Sequence, residues 1–403
     1  MATLCCIVTD QVNGIGEKHT TNIGNQRIGI LVFVDDVMAA GEADNARTCI
    51  RNLNEMEVKK KFTFGLKKTN YMIIDTGKEP DEKINEEVRN GVVTETDEYK
   101  YVGLWVNKQG NCCLQIERKS QKMKGEVVAL KSFANYYNVG ETFVNVRLEL
   151  HESCLIPSLL YNLEGWNKLT KAEIKKLEQT QAMILCSLLG IPKTTPYIGL
   201  LNEVGMWRIE ERIMYRKIML YHNIHNSPQS RLVKRIIDEQ MEDEEEDTFY
   251  SNVKEMAMKL DLQMETIRGL TKSRLKVLVK KKIEDRMVKI IKESENMTKL
   301  RFVDCCEELT RKEYIRKMKG SEAIKALKTR LNMIPIYGNY KGDVTLPRLC
   351  SHCNQEEDTT EHLVSCEVFS NDLINPSHLR DEKNVERWRM INELVDSNMS
   401  CRS

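Results

Sequence analysis

Proline and glycine are scarce in this chain, 8 and 20 of 403 residues, and aromatic side chains make up only 6% of it. So few turn-forming residues exclude collagen-like and low-complexity architectures and fit a chain built mainly of helices. Net charge is nearly absent too: 61 basic residues stand against 60 acidic ones, a formal +1. No global field can draw such a protein to a polyanion, so any affinity of that kind has to come from charge segregated along the chain. Also missing is an apolar stretch of about 18 residues, the length a membrane-spanning helix needs. The N-terminus has no basic region leading into an apolar core, as a secretory leader would. The expectation is a protein that is neither secreted nor membrane-embedded, working in the nucleus or the cytoplasm.

What is present describes folded structure. Apolar residues make up 41% and charged residues 30%, and the length suffices for two or three domains. Charge is segregated locally. Between Arg268 and Arg330 basic residues outnumber acidic ones roughly two to one, whereas Glu242 to Asp247 reads EDEEED, a solvated acidic loop. The thirteen cysteines are odd in number and include the adjacent pairs Cys5–Cys6, Cys112–Cys113 and Cys305–Cys306. That pattern suits a reducing compartment better than a disulfide framework.

Hydrophobic periodicity changes along the chain. Up to about Asn111 it is mixed: Ile28 to Ala40 reads as strand, turn, strand, Ala43 to Val58 as helix, and Tyr71 to Asp75 and Tyr101 to Val106 as short strands. From Leu114 onward amphipathic helices dominate, over Gln115–Tyr136, Thr142–Leu155, Lys171–Leu189 and Glu203–Asn223. Gly190 and Pro192 supply helix-stop chemistry after the third. Phe249 to Arg330 is again helical and rich in Lys and Arg, and Tyr337 to Ser403 reads as irregular. No fixed-period repeat emerges.

Near the C-terminus, CSHCNQEEDTTEHLVSC places Cys350, Cys353, His362 and Cys366 in a C-x2-C-x8-H-x3-C arrangement. A C-x2-C turn presents two thiolates to one ion, and a His and a Cys four residues apart share a helical face. Four protein ligands close a tetrahedral shell, which predicts a structural Zn2+ rather than a catalytic one. His352 is a possible substitute ligand with less suitable spacing.

The run IGILVFVDDVMAAG raises a different question, since Asp35 and Asp36 interrupt a strand-like apolar segment. Two such aspartates either face solvent in a turn or hold a cation. FVDD, Phe33 to Asp36, resembles the aromatic-x-Asp-Asp box of reverse transcriptases. FGLKKTNYMII, Phe64 to Ile74, is similar to the Lys-Thr-containing box of retroelement polymerases, with Lys68 in the place of its lysine. YKYVGLWVN, Tyr99 to Asn107, resembles the primer-grip element at Tyr101, Val102 and Gly103. Downstream, Leu155 to Pro196 and Leu200 to Lys217 look like the helical thumb and following region of non-LTR, LINE-like retrotransposon polyproteins. The Cys350 to Cys366 cluster looks like the CCHC element at the C-terminal end of that family.

The resemblance implies an α+β, mostly α chain: a partial reverse-transcriptase palm over residues 1–113, a helical thumb over 114–240 and a basic helical connector over 241–335. A CCHC zinc element over 336–375 and a polar tail over 376–403 follow. It implies RNA-directed DNA polymerisation on an RNA template and DNA primer. Asp35 and Asp36 would be Mg2+ ligands, Lys68 a general acid, and Tyr101, Val102 and Gly103 the primer contact. The remainder of the retrotransposon polyprotein is a possible partner. The sequence departs from the family pattern in lacking the upstream metal-binding aspartate and the Gln-Gly template box, which reads as truncation before the first catalytic aspartate. The alternative is a non-catalytic RNA- or DNA-binding remnant. In either case the apolar edge of the Asp-Asp hairpin predicts that the first 110 residues are less stable than the helices.

Overall fold

The computed structural model describes residues 21–23, 26–28, 30–33, 36–39, 50–52, 54, 55, 58, 69–73, 87, 88, 91–136, 144–242, 246–294, 300, 302, 303, 308–336, 349–368 and 374–400. Among these the chain is mostly helical, with short strands confined to the region before Lys108. It divides into two compact units. One comprises 1–118, 165–169 and 220–255, and the other 119–164, 170–219 and 256–403.

The first unit carries the strands β1 (Thr21–Ile23), β2 (Gln26–Ile28), β3 (Ile30–Phe33), β4 (Asp36–Ala39), β5 (Asn70–Tyr71), β6 (Glu87–Val88), β7 (Gly91–Val92), β8 (Thr94–Glu95), β9 (Glu98–Tyr101) and β10 (Leu104–Asn107). Among the described residues they pair only two by two. β5 and β8 are parallel, and β1–β2, β3–β4, β6–β7 and β9–β10 are antiparallel. The strand, turn, strand expected between Ile28 and Ala40 is present as β3 and β4, with Ile30 opposite Ala39 and Phe33 opposite Asp36. The described positions between Ile50 and Val58 are helical, as expected.

The single strand expected over Tyr101–Val106 is instead the hairpin of β9 and β10. The chain reverses at Val102 and Gly103, whose φ angles are 46° and 81°, so that Leu104 falls opposite Tyr101. A two-residue type I′ hairpin turn needs positive φ at both central residues. Gly103 adopts it freely, whereas Val102, being β-branched, does so under strain. The Trp105 backbone N–H donates to Gln115 Oε1 (3.0 Å), and the Arg118 guanidinium lies 5.1 Å from the Trp105 ring while pairing with Glu98 at 2.7 Å.

The helices follow as α1 (Cys113–Tyr136), α2 (Val144–Leu150), α3 (Ile156–Leu159), α4 (Lys171–Leu189), α5 (Tyr197–Val204), α6 (Ile209–His225), α7 (Leu232–Glu242), α8 (Phe249–Lys259), α9 (Met264–Gly269), α10 (Lys272–Glu293), α11 (Glu313–Lys317), α12 (Gly320–Arg330), α13 (Thr360–Ser365) and α14 (Val385–Ser400). One π-helical turn, His151–Leu155, joins α2 to α3. α4 has the bounds its periodicity predicts. Thr170 and Glu173 form a reciprocal capping box at its start, and Gly190 ends it at φ 64°.

The helix expected over Glu203–Asn223 is two. α5 stops at Val204, Gly205 takes φ 66°, and α6 begins only at Ile209. A Cβ at Gly205 would lie 2.4 Å from the Arg311 backbone nitrogen, so a glycine is needed for the close approach as well as for the dihedral. The segment expected to be a polar tail holds α14, which packs on α12 and α13 with Trp388 and Ile391 fully buried.

Arg330 and Glu203 form a fully buried ion pair in the second unit. Arg330 Nε and Nη2 donate to the two Glu203 oxygens at 2.8 and 3.0 Å, and Nη1 donates to the carbonyls of Leu379 and Arg380. Tyr314 Oη adds a 2.7 Å hydrogen bond to Glu203, and the Tyr314 and Trp388 rings lie 5.8 and 5.9 Å from the guanidinium. This satisfaction of every side is what makes a buried charge pair tolerable.

Candidate metal centre

The C-x2-C segment folds as a tight turn held by backbone hydrogen bonds. The Cys350 N–H donates to the Glu356 carbonyl (2.8 Å), the Asn354 N–H donates to the Cys350 carbonyl (2.9 Å), and Asn354 adopts φ 55°. Asparagine is among the few residues that accept this left-handed geometry readily. An isolated bridge between Leu349 and Glu357 closes the loop. The polypeptide then enters α13, where Thr359 Oγ1 caps the helix by accepting from the His362 N–H at 3.1 Å. That cap sets His362 in the first turn, and Cys366 follows immediately after the last helical residue.

These two pieces bring the four residues of the motif together. The ligand atoms of Cys350, Cys353, His362 and Cys366 all lie within 4.8 Å of one another. Cys350 Sγ and Cys366 Sγ are 3.9 Å apart, and Cys353 Sγ is 3.3 Å from His362 Nε2. A tetrahedral ion with metal–sulfur bonds of about 2.3 Å and metal–nitrogen bonds of about 2.0 Å puts neighbouring ligand atoms roughly 3.5–3.8 Å apart. The observed edges fit that shape. Cys350 and Cys366 are fully buried, His362 nearly so, and Cys353 partly exposed, so the group can hold a metal ion against the protein with one corner towards solvent.

The electrostatics differ across the cluster. Backbone hydrogen bonds from Gln355 and Glu356 lower the Cys353 thiol to about 7, whereas burial pushes Cys366 up to about 11. His362 Nδ1 donates to Glu356 Oε2 at 2.9 Å, which leaves Nε2 with its lone pair facing the cysteines. A carboxylate behind a ligating histidine fixes the ring's tautomer and orientation. Sequence reasoning did not single out Glu356, because a glutamate in a polar loop carries no signal of its own. His352, the substitute ligand, is not one of the converging four.

The other expected site residues are placed differently. Asp35 and Lys68 lie outside the described residues, and for Asp36 the structure gives its strand position opposite Phe33. Tyr101, Val102 and Gly103 form the tip of the β9–β10 hairpin. Among the described residues no helix is long and apolar enough to cross a membrane. The chain matches no protein-family model and no curated protein.

Proposed function

We propose that this chain is part of a non-LTR retrotransposon reverse transcriptase, and that Cys350, Cys353, His362 and Cys366 hold a structural Zn2+ in it. The observation that carries the reading is an order: an Asp-Asp hairpin, a Lys-Thr box, a Tyr-Val-Gly hairpin, a long helical region, then a closed Cys3His centre. Zinc fits the centre because three thiolates and one imidazole are the soft and borderline donors it takes in tetrahedral structural sites. Fresh protein is expected to carry about one zinc per chain, and Cys350→Ser to lose it; metal analysis that finds none in the wild type sinks the zinc assignment.

In this reading Asp35 and Asp36 are Mg2+ ligands, Lys68 protonates the departing pyrophosphate, and the β9–β10 tip lies against the primer backbone. The test is primer extension on an RNA template with Mg2+, beside an Asp35→Ala, Asp36→Ala double variant. Extension lost in the variant supports a working polymerase, and extension equal in both overturns the assignment of those aspartates. The second reading is a non-catalytic nucleic-acid-binding remnant. It is favoured by the exposed lysines of α10, which need no catalytic site to hold phosphate. It predicts no extension together with salt-sensitive binding to primer-template.

A further inference from the structure

The basic segment between Arg268 and Arg330 is not uniformly available to a ligand. Much of its charge is already paired with carboxylates of the same chain, some buried and some at the surface: Lys282 pairs with Asp261, Arg286 with Glu211, Arg311 with Glu149, Lys312 with Glu382, Lys317 with Glu313, Lys325 with Asp396 and Arg330 with Glu203. The N-terminal half of α10 is different. Lys272, Arg274, Lys276, Lys280 and Lys281 are all exposed, and none makes an ion pair among the described residues. No acidic residue occurs from Lys272 to Ile283, and none stands in the first turn of the helix.

Five exposed cations crowded together repel one another, and those in the first turn also oppose the positive end of the helix dipole. Glu284, one turn beyond Lys280, offsets part of this repulsion at that lysine, and a polyanion would supply countercharge for the others. One row of these cations is linear. Lys272, Lys276 and Lys280 recur every four residues, about 6 Å along the axis, while Arg274 and Lys281 stand on the far side of the same solvent-facing arc, roughly 180–200° round the helix from Lys272. That interval is close to two nucleotide steps of about 3.4 Å along one strand. The stripe Leu275, Val279, Ile283, Met287 and Ile291 is buried in the protein, which leaves Val277 as the exposed large apolar side chain of α10, too little to enter a bilayer interface.

We infer that the N-terminal half of α10 is a docking surface for the phosphate backbone of nucleic acid. The choice of nucleic acid as the polyanion rests on the functional reading above; the surface itself rests on burial and charge. It is a contact without base readout, because long exposed basic side chains spread over the solvent-facing side of a helix touch phosphates and carry no sequence information.

The test uses the full, metal-loaded chain and a short RNA duplex of unrelated sequence, with affinity measured between about 0.05 and 0.2 M salt. Lys272→Gln, Lys276→Gln, Lys281→Gln is compared with Lys171→Gln, Lys175→Gln, Lys176→Gln, three exposed lysines of α4 whose loss changes the net charge equally. All six side chains are exposed, so both variants should melt with the wild type. The α10 variant is expected to lose about tenfold or more in affinity at the lower salt, and its log–log salt slope to fall by about 2 to 3. Equal losses in the two triples, or no binding by the wild type, overturn the proposal. Anionic vesicles that bind as tightly as RNA and lose binding in the same α10 variant would overturn the choice of nucleic acid. Failure of Asp35- and Asp36-dependent extension bears on the polymerase reading alone and leaves this comparison intact.

Discussion

At the scale of single residues, the buried charges of the second unit are costly positions. Glu203 accepts from Arg330 and from Tyr314, with both ion-pair partners at 0% exposure. Removing one partner leaves the other charged and dry, so Arg330→Ala should destabilise the second unit by about 3–5 kcal/mol in denaturant titration. Arg330→Lys should rescue little of it, because an ammonium cannot reach both Glu203 oxygens and two carbonyls in one plane. A loss under ~1 kcal/mol for the alanine variant would contradict this account. Glu152 gives a pH signature. Burial raises its carboxyl, but the adjacent His151, whose Nδ1 is 3.3 Å away, and the Arg212 guanidinium at 2.5 Å outweigh that and bring it down to about 2. A folded-state value below the ordinary 4.5 means the unfolded chain binds the proton more readily. The stabilisation is therefore present above pH 4.5 and lost as pH falls towards about 2. Glu152→Gln should be less stable than the wild type near neutrality, with the gap in Tm closing across that acid window; a gap independent of pH would rule out the ionised pair.

At the scale of elements, the two helix-ending glycines separate conformation from space. Gly190 and Gly205 have nearly the same φ, 64° and 66°, but a Cβ at Gly190 meets nothing within 4 Å while one at Gly205 meets the Thr310–Arg311 backbone. Gly190→Ala should cost about 1 kcal/mol for the dihedral alone. Gly205→Ala should cost distinctly more, since backbone atoms must move; equal Tm losses would show that the close approach is not maintained in solution. The same contrast explains what could be read in the sequence. α4 was legible end to end because Thr170, Glu173, Gly190 and Pro192 announce both termini locally. The break at Gly205 had a lone glycine as its local sign, with no proline close behind it, and the approach of the Arg311 backbone, more than a hundred residues away, is visible only in the fold. The β9–β10 reversal was hidden because Val102 sits where turn chemistry calls for Asn, Asp or Gly. For α14 the signal was present: Trp388, Ile391 and Val395 recur at helical spacing and are buried, yet the surrounding charge made the segment read as a tail. The metal centre was legible as a ligand set from spacing alone, whereas Glu356 behind His362 is a relation only the folded loop creates.

At the scale of the whole molecule, stability should be distributed unevenly along the chain. The described strands occur only in two-stranded pairs, and such pairs are at best marginally stable in water without a further strand or a packed face. Along β9 and β10 every side chain is half-buried or exposed. The helices differ: Leu177, Leu185 and Leu189 of α4, Met214 and Ile218 of α6, and Val279, Ile283 and Met287 of α10 are all at 0% exposure. Opening those helices exposes apolar area at about 25 cal/mol per Å2, whereas opening the β9–β10 hairpin exposes little that is not already wet. Native-state hydrogen exchange should therefore be slowest in α4, α6 and α10 and faster by several orders of magnitude in β9 and β10. β3 and β4 carry the sharper test, since the Asp-Asp hairpin pairs with no third strand among the described residues. If its amides exchange as slowly as those of α4, some partner covers its edge in solution. A polymerase palm would require such a partner beside Asp35 and Asp36, and a bare binding remnant would not.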